Sequence, residues 1–325
     1  MQPQERHQAI VRLLREQARE GYVSFAQLGQ AALYAPGLGY YTTDQVRVGK
    51  AEGTDFTTAA ALGPMFGELL AGAAEAMVGA LSEYALVEIG AEAGQSPFAS
   101  VVNRFKQYQR IGWRDDYVWP ERSVVVANEL LDAQPFHRLI FQNGQWRELG
   151  IDVRSEGLEV SVLKNYSTAA LENFSRTLPT DVAEGWLLDI SLAAEDLLQR
   201  IMQRPWQGAL IFLDYGKTVA QCLENSPAGT ARAYYRHQLS GELLENLGSQ
   251  DLTCHVLWDR LQPMLVAAGF QSVTLERQEA FLVRRAGAVM EHWAKSGDLE
   301  LTSRLRALTH PAHFGSKFQV LSGIR

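Results

Sequence analysis

A short apolar segment of this chain ends in a turn that carries glycines and carboxylates. It is Ala85-Leu-Val-Glu-Ile-Gly-Ala-Glu-Ala-Gly-Gln95, with Glu88 near the end of the apolar run and Gly90 and Gly94 in the turn. Glycines after a parallel strand permit a tight turn and let a cofactor approach the backbone, and Glu88 is the type of residue that orients a cationic amine. Glu92 would repel a pyrophosphate, which favours a cofactor with a positive centre over a dinucleotide. The segment alone also fits a strand-to-helix turn that needs glycine only for its geometry.

A second apolar segment, Val124-Val-Val-Ala-Asn-Glu-Leu-Leu-Asp-Ala133, ends in Asn128, Glu129 and Asp132. Where a parallel strand ends, polar side chains face the cleft above the sheet, so Glu129 and Asp132 are a candidate pair of carboxylates. The alternative is a helix N-terminus, where acidic residues interact favourably with the helix dipole. A third apolar run brings Asp214 to its C-terminal end. The three runs predict one cleft at the carboxyl ends of neighbouring strands.

The order of elements predicts an α/β fold, with a Rossmann-like parallel sheet and helices on both faces. We expect helices over residues 5–19, 24–33, 64–84, 96–109, 192–203 and 258–268. Buried strands are expected over residues 85–89, 123–127 and 209–216, and edge strands over 273–276 and 317–321 bracket two further helices.

An inserted antiparallel meander is expected after the second buried strand. Asn143-Gly144 is a strong hairpin signal between residues 138–142 and 145–153, and residues 158–163 supply a third strand. Residues 171–185 and 217–256 are expected to be irregular. We predict an N-terminal helical region with a cofactor-covering loop over residues 1–63. The α/β core then follows over residues 64–325, with insertions at about 138–165 and 217–256.

Composition excludes several classes of function. The net charge of −7 argues against a nucleic-acid binder. The N-terminus lacks the apolar core of a signal peptide, and no apolar stretch is long enough to insert into a membrane. Cys222 and Cys254 have no metal or redox spacing, and His310 and His313 have no evident third ligand, so we expect no metal site. Two lone cysteines are typical of buried thiols in a reducing compartment, so a cytoplasmic location is expected.

Ten motifs, in order along most of the chain, carry a resemblance to a known family. They are Gly39-Tyr-Tyr, Asp55-Phe-Thr-Thr-Ala, Phe66-Gly-Glu-Leu, Glu88-Ile-Gly, Asn128-Glu-Leu-Leu-Asp-Ala-Gln-Pro-Phe-His, Leu213-Asp-Tyr-Gly, Gly229-Thr-Ala-Arg-Ala-Tyr-Tyr-Arg-His, Asp251-Leu-Thr-Cys-His-Val and Gln278-Glu-Ala-Phe-Leu, and the chain closes with His313-Phe-Gly-Ser-Lys-Phe-Gln-Val-Leu. Through these motifs the chain resembles the MidA-like class I S-adenosylmethionine-dependent methyltransferases. The mitochondrial members of that family methylate an arginine on a subunit of respiratory complex I.

The resemblance implies a protein methyltransferase that uses S-adenosylmethionine and has a protein as its substrate or partner. The positions that match the family's cofactor motifs are Tyr40, Asp55, Thr58, Glu88, Gly90, Gly94 and Asn128. A guanidinium is a poor nucleophile because it holds its proton far above neutral pH, and paired carboxylates grip it bidentately. Glu129 and Asp132 are the candidates for this role, and Asp214 is a further one. Asp251 and His255 are four residues apart and would meet on a helical turn, where His255 would take the late proton.

Two departures from the family pattern leave other functions open. Ala91, Glu92 and Ala93 replace the usual residues of the glycine turn, and only residues 95–127 separate the two turns. Because each parallel crossover needs about a dozen residues or more, we expect the second strand and helix to be missing or reduced, and with them the ribose-binding carboxylate. Asp115, Asp116 and Glu121 lie in this span and are the candidates to replace that carboxylate, although nothing in the sequence places them at a strand end. The alternatives are a degenerate fold that acts as a binding or assembly module, and a small-molecule methyltransferase.

Overall fold

The computed structural model describes residues 1–43, 63–91, 96–112, 115–154, 157–235, 238–296, 305 and 318–325. The helices of this part of the chain are α1 (Pro3–Gln17), α2 (Phe25–Tyr34), α3 (Pro64–Val78), α4 (Ala169–Ser175), α5 (Leu192–Gln203), α6 (Val219–Asn225), α7 (Trp258–Ala267), α8 (Gln278–Arg285) and α9 (Gly287–Ser296). The strands are β1 (Tyr22–Ser24), β2 (Ala85–Ile89), β3 (Gln107–Ile111), β4 (Arg122–Asn128), β5 (His137–Gln142), β6 (Gln145–Asp152), β7 (Glu159–Val162), β8 (Leu187–Ile190), β9 (Gln207–Asp214), β10 (Gly216–Lys217), β11 (Arg232–Tyr235), β12 (Gln238–Ser240), β13 (Asp251–Thr253), β14 (Val256–Leu257), β15 (Gln271–Arg277) and β16 (Gln319–Ile324).

The main sheet has six strands in the order β15-β16-β9-β4-β2-β3, which confirms the predicted α/β sheet. Strands β3, β2, β4 and β9 are parallel, and β16 pairs antiparallel with both β9 and β15. The expectation that residues 317–321 form an edge strand was wrong, because β16 lies between two other strands. Val320 and Leu321 are both fully buried, so β16 is covered on both faces.

Helices cover both faces of the main sheet. On one face α3 packs Phe66 and Leu69 in the same core cluster as Leu86 of β2. On the other face α5 contributes Leu197 to the core cluster that contains Val125 of β4. Burial on both faces explains why β4 reads as the continuous apolar run that the sequence shows. No helix among the described residues has both the length and the apolar character needed to cross a membrane.

The second strand of the parallel unit is present, which corrects the expectation that it is missing. All five residues of β3 pair in parallel with β2, from Ala85 opposite Gln107 to Ile89 opposite Ile111. The helix expected over residues 96–109 was wrong, since this stretch holds only a short 3-10 turn, Val102–Arg104, before β3. The connection between β2 and β3 therefore keeps its strand but has a short 3-10 turn in place of the expected helix. Its apolar residues Phe98, Val101 and Phe105 are buried beneath α3 without forming a helix.

The antiparallel meander is confirmed and is larger than predicted. Strands β5 and β6 form the hairpin around Asn143-Gly144, β7 pairs with β6, and β8 adds a further strand beside β5. Strand β1 of the N-terminal region pairs antiparallel with β6, on the side of β6 opposite to β7. The boundary proposed near residue 63 stays a prediction.

Two segments expected to be irregular contain regular elements. Helix α4 overlaps the start of residues 171–185. Residues 217–256 hold α6 and the sheet β12-β11-β13, and the parallel pair β10–β14 overlaps the two ends of this range. These strands are only two to four residues long, which is too short for alternation of polar and apolar residues to be detected.

Gly67 of α3 allows this helix to pack against the chain that follows the glycine turn. A Cβ atom at Gly67 would lie 2.1 Å from the carbonyl oxygen of Pro97, which is closer than any real contact. We therefore predict that Gly67→Ala lowers the free energy of unfolding by about 1–3 kcal/mol, although alanine favours helix formation. Urea denaturation checks this, with Gly287→Ala of α9 as the control, because nothing lies within 4 Å of a Cβ there. Equal stability of the two variants would contradict the close packing.

Candidate functional site

The ends of three parallel strands bring the predicted site residues together. Ile89 of β2 pairs with Ala127 of β4, and Asn128 of β4 pairs with Leu213 of β9. Gly90, Asn128 and Asp214 therefore lie at one edge of the sheet, as the sequence predicted. The chain from Asn128 to Asp132, here named the acid turn, crosses above this edge.

The carboxylate of Asp214 holds the acid turn in place. Its Oδ2 atom accepts backbone N–H groups from Leu130 at 3.2 Å, Leu131 at 2.8 Å and Asp132 at 3.3 Å. Its Oδ1 atom accepts the backbone N–H of Tyr215 at 2.8 Å, and Asp214 is only 1% exposed. With four donors around it, this carboxylate is committed to positioning the acid turn, and it does not contribute a free group to chemistry.

Glu129 adopts a left-handed backbone conformation, with φ of 51°. Its N–H donates to the carbonyl of Leu213 at 2.9 Å, and its Oε1 atom accepts Nδ2 of Asn128 at 2.9 Å. A left-handed non-glycine residue is strained by about 1–2 kcal/mol, and such strain is concentrated at functional sites. The tight turn thus places Glu129 beside Asn128 at the strand end.

Asn128 carries a buried oxygen that has no partner among the described residues. Its Oδ1 atom is inaccessible to solvent and receives no hydrogen bond, while Nδ2 is used by Glu129. An unpaired buried acceptor is costly, typically by about 1–3 kcal/mol, unless a ligand supplies a donor. Asn128 therefore suits a ligand that carries N–H groups, such as an amino group or a guanidinium.

Four carboxylates are close enough to influence one another. Burial raises the pKa of Asp132 well above its usual value, and Asp214, Glu129 and Asp251 raise it further. Burial also raises the pKa of Asp214 to about 6, although its backbone N–H donors oppose this. Because Asp214 has the donors, we assign the ionised state to Asp214 and the proton to Asp132, which hydrogen-bonds to it. Within the described residues no group of His, Cys, Asp and Glu side chains is arranged to hold a metal ion.

Tyrosines surround these acids. The Tyr34 hydroxyl donates to the carbonyl of Ala133 at 3.1 Å, and its ring stacks on Tyr41 with centroids 5.5 Å apart. The Tyr41 hydroxyl donates to Oδ2 of Asp251 at 3.0 Å. Burial raises the pKa of Tyr34, and the charges of Asp251 and Asp132 add to the effect, so this phenol stays protonated. The site is thus a set of acids bordered by aromatic rings.

The structure separates Asp251 from His255, which corrects the predicted pair. Asp251 begins strand β13, so the helical spacing that would have joined the two side chains does not exist. The backbone N–H of His255 donates to Oγ1 of Thr230, and burial lowers the pKa of His255 to about 4, with Lys217 and Arg232 lowering it further. Asp251 instead joins the acid turn, a contact between distant parts of the chain that spacing along the sequence could not reveal.

Glu88 connects β2 to its neighbour β3. It accepts Oγ of Ser96 at 2.9 Å and the hydroxyl of Tyr108, and Nε of Arg110 lies 3.5 Å from its Oε2 atom. The charge of Glu88 is therefore already compensated by Arg110, and its use for a cationic amine stays a prediction.

Gly90 has the conformation that the sequence required of it. Its φ of +76° is in the left-handed region, and a Cβ atom there would lie 2.8 Å from Cδ1 of Leu130. The N–H of Gly90 donates to the carbonyl of Ile111, the last residue of β3, at 2.8 Å.

Asp115 lies just beyond the end of β3, a position that the sequence did not place at a strand end. Its Oδ2 atom accepts the N–H of Gly112 at 2.7 Å, and the side chain is exposed. In this type of sheet, a carboxylate that follows the second strand is the group that holds a ribose hydroxyl, and Asp115 has this position.

The remaining predicted residues fall into two groups. Asp55, Thr58 and Gly94 lie outside the described residues, as does Glu92. Tyr40 is 1% exposed and packs its ring edge-on against Tyr41, so Tyr41 is the member of this pair that touches the acids.

An open cavity of about 590 Å³ adjoins the acid turn, and we call it the α5 groove. One of its walls is a single face of α5, formed by Ala193, Asp196, Gln199, Arg200 and Gln203. The remaining walls come from α2, from the loop after β3 and from the acid-turn region, through Gln30, Tyr34, Gly90, Tyr117, Leu130, Gln134 and Pro135. Sequence reasoning missed the α5 groove because its residues look like an ordinary solvated helix face.

These residues fit S-adenosylmethionine. Asn128 offers the unpaired acceptor for an amine, Gly90 allows close approach to the backbone, and Asp115 offers a carboxylate to a ribose. None of these features requires a phosphate, and acids around the site suit a sulfonium cation.

Comparison with known sequences points in the same direction. A family model described as "Putative S-adenosyl-L-methionine-dependent methyltransferase" matches residues 61–275. The mitochondrial protein arginine methyltransferase NDUFAF7 homolog of Drosophila melanogaster is 27% identical over 212 residues, which are 62% of this chain and 46% of that protein. NDUFAF7 of Danio rerio is 27% identical over 211 residues, 62% of this chain and 47% of that protein. The chain thus spans about half the length of these relatives.

Two solved structures share the whole fold. A presumed methyl transferase from Burkholderia thailandensis, solved with S-adenosyl-homocysteine bound, superposes with a TM-score of 0.86 at 23% identity, covering 99% of this chain and 93% of that one. A native structure of an uncharacterised protein from the same organism gives a TM-score of 0.83 at the same identity and coverage. At 23% identity, this structural similarity establishes that the chain has the same fold as these two proteins.

The raised pKa of Asp132 makes stability depend on pH. The folded state holds a proton that the unfolded chain releases above about pH 4, so this carboxyl makes the protein less stable as pH rises from about 4 towards the raised pKa of the folded state. In Asp132→Asn the amide still donates to Asp214 but does not titrate. We predict that the variant gains stability relative to the wild type between pH 4.5 and pH 7, by at most about 1.4 kcal/mol for each pH unit.

Urea denaturation at both pH values checks this prediction. The exposed Asp181, changed to Asn, is the matched control and should leave the pH dependence of the wild type unchanged. Parallel pH dependence of Asp132→Asn and the wild type would show that Asp132 titrates normally.

Proposed function

Because this chain belongs to the methyltransferase family whose model it matches, we propose that it transfers a methyl group from S-adenosylmethionine to an arginine side chain of a protein. The observation that carries the proposal is a set of neighbouring acids, the half-buried Glu129 and the buried Asp132 and Asp251, beside the turn that Asp214 holds above the sheet. A cationic acceptor with several N–H donors is the group that this set of acids complements. The relatives from Drosophila and Danio, named as arginine methyltransferases, support the choice of acceptor.

The chain's residues would hold the donor at the end of β2. S-adenosylmethionine supplies an electrophilic methyl group on a sulfonium. Gly90 would leave room for it against the backbone, Asn128 would accept a hydrogen bond from its amine, and Asp115 would accept one from its ribose. In an in-line displacement the enzyme acts chiefly by positioning the two reactants.

The acids would orient the acceptor and take its proton. A guanidinium bound by Glu129 and Asp132 would present one nitrogen to the methyl group. As the new N–C bond forms and the C–S bond breaks, the N–H proton on that nitrogen would pass to a carboxylate. A carboxylate with a raised pKa is a better proton acceptor than an ordinary one, and Asp132 has this property. His255, whose backbone N–H donates to Thr230, has no part in this scheme.

Other features of the proposal remain predictions. A protein partner follows from the proposed acceptor. The two cysteines are free and buried, which supports the expected cytoplasmic location. The acceptor expected from the family resemblance, an arginine of a respiratory-complex subunit, is a proposal for this chain, which spans less than half the length of those relatives. The alternative of a degenerate fold without cofactor binding draws no support from the relatives.

A valine at Gly90 should abolish cofactor binding. The side chain would strain the left-handed backbone and press on Leu130, displacing the acid turn from the strand end. Calorimetric titration should show micromolar binding of S-adenosylmethionine to the wild type and none to Gly90→Val. Gly144→Val is the matched control, since Gly144 has a φ of +74° but nothing within 4 Å of a Cβ. Retained affinity in Gly90→Val would place the cofactor elsewhere.

Methyl transfer should depend on the ionisation of the acids. A protonated Asp132 binds a cation poorly, so kcat/KM for an arginine peptide should fall by up to about tenfold for each pH unit below the raised pKa of Asp132. Asp132→Asn should be slower and should lose this pH dependence, whereas Asp181→Asn should keep it. An unchanged pH profile in Asp132→Asn would remove Asp132 from the proposed mechanism.

A further inference from the structure

The α5 groove begins at the acid turn and leads away from it. At one end, Ser191, the N-cap of α5, donates its hydroxyl to the carbonyl of Pro135 at 2.8 Å. At the other end, the guanidinium of Arg200 lies over the ring of Tyr117 at 5.5 Å. Tyr34 lines the α5 groove, and the charges of Asp132 and Asp251 act on its pKa. Leu130 of the acid turn lines the α5 groove as well, so this groove borders the turn that carries the acids.

The lining of the α5 groove is rich in uncommitted amides. Within the described part of the chain, the side chains of Gln30, Gln199 and Gln203 take part in no hydrogen bond. Each carries one acceptor and two donors, which is the pattern that pairs with both the N–H and the C=O of an extended backbone. A helical ligand would arrive with its backbone already paired and would need an apolar wall, which these amides do not offer.

The charges and length of the α5 groove fit the same type of ligand. Asp196 and Arg200 carry opposite charges, so the lining has no excess of cations to hold a phosphate. From Ala193 to Gln203 the helix rises about 15 Å, which matches about four or five residues of extended chain. The dimensions suit a short extended segment next to the residue in the active site.

We propose that the α5 wall of the α5 groove binds an extended segment of the acceptor protein, adjacent to the arginine that is methylated, whereas Gly90, which also lines this groove, belongs to the proposed cofactor site. The inference rests on the proposed function for the identity of that arginine. Gln199 and Gln203 hydrogen-bond the backbone of the segment, and Arg200 attracts an acidic side chain. Arg200 is about 10 Å along α5 from Ala193, so the acidic residue falls about three positions from the arginine.

Selection from a peptide library tests the proposal and does not require the acceptor protein itself. A library of random nonapeptides with a central arginine is selected on the wild-type protein in the presence of S-adenosylhomocysteine. The affinity of the selected peptides is then measured by fluorescence anisotropy. The double variant Gln199→Ala/Gln203→Ala should bind them about tenfold more weakly, the effect of losing two ordinary hydrogen bonds. Gln8→Ala, an exposed glutamine of α1, is the control and should bind them normally.

Three results would overturn the proposal. They are the absence of any selected peptide, unchanged peptide affinity in the double variant, and an equal loss of S-adenosylhomocysteine affinity in that variant, which would assign the α5 groove to the cofactor. Selection of peptides on the Arg200→Glu variant is an independent test. These peptides should carry a basic residue where the peptides selected on the wild type carry an acidic one. If the selected peptides bind through these residues but accept no methyl group, the peptide site stands and the proposed methyl transfer fails.

Discussion

The arrangement at the top of the sheet depends on the carboxylate of Asp214. A fully buried carboxylate is costly, and this one is stabilised by backbone N–H groups from Leu130, Leu131 and Asp132, donated by a turn more than eighty residues earlier in the chain. The same bonds hold the acid turn over the strand ends and force Glu129 into its left-handed conformation. The strain at Glu129 persists because β4, β9 and Asp214 together leave the turn no alternative path.

Burial of several like charges then determines the chemistry. Asp132, Asp214 and Asp251 are each less than a tenth exposed, and they cannot all ionise without a cation between them. In the proposed reaction, the resting site would keep a proton that an entering guanidinium displaces. Recognition of the proposed acceptor would then be joined to the removal of its proton, since the carboxylate that loses a proton on binding is the one able to regain it during transfer.

The sequence predicted the central strands well and the periphery poorly. Strands β4 and β9 are covered on both faces, so their residues form continuous apolar runs that allow no other structure. Strand β3 lies at the sheet edge, and its residues Gln107, Gln109 and Arg110 face partly to solvent, which hides a strand from any search for apolar runs. The apolar residues Phe98, Val101 and Phe105 have helical spacing, yet they are buried against α3 from a stretch whose regular structure is only a 3-10 turn, so their periodicity reflects burial and not a helix.

The sequence by itself determined which strands are buried, the turns that end them, and the family that these turns indicate, because these properties are written in local patterns of apolar residues, glycines and acids. Only the tertiary structure decided that Asp214 clamps the acid turn, that Asp251 joins it while His255 does not, and that α5 presents its amides to a groove beside it. These are contacts between segments tens to more than a hundred residues apart. Their geometry follows from how the sheets and helices pack, and spacing along the chain carries no record of it.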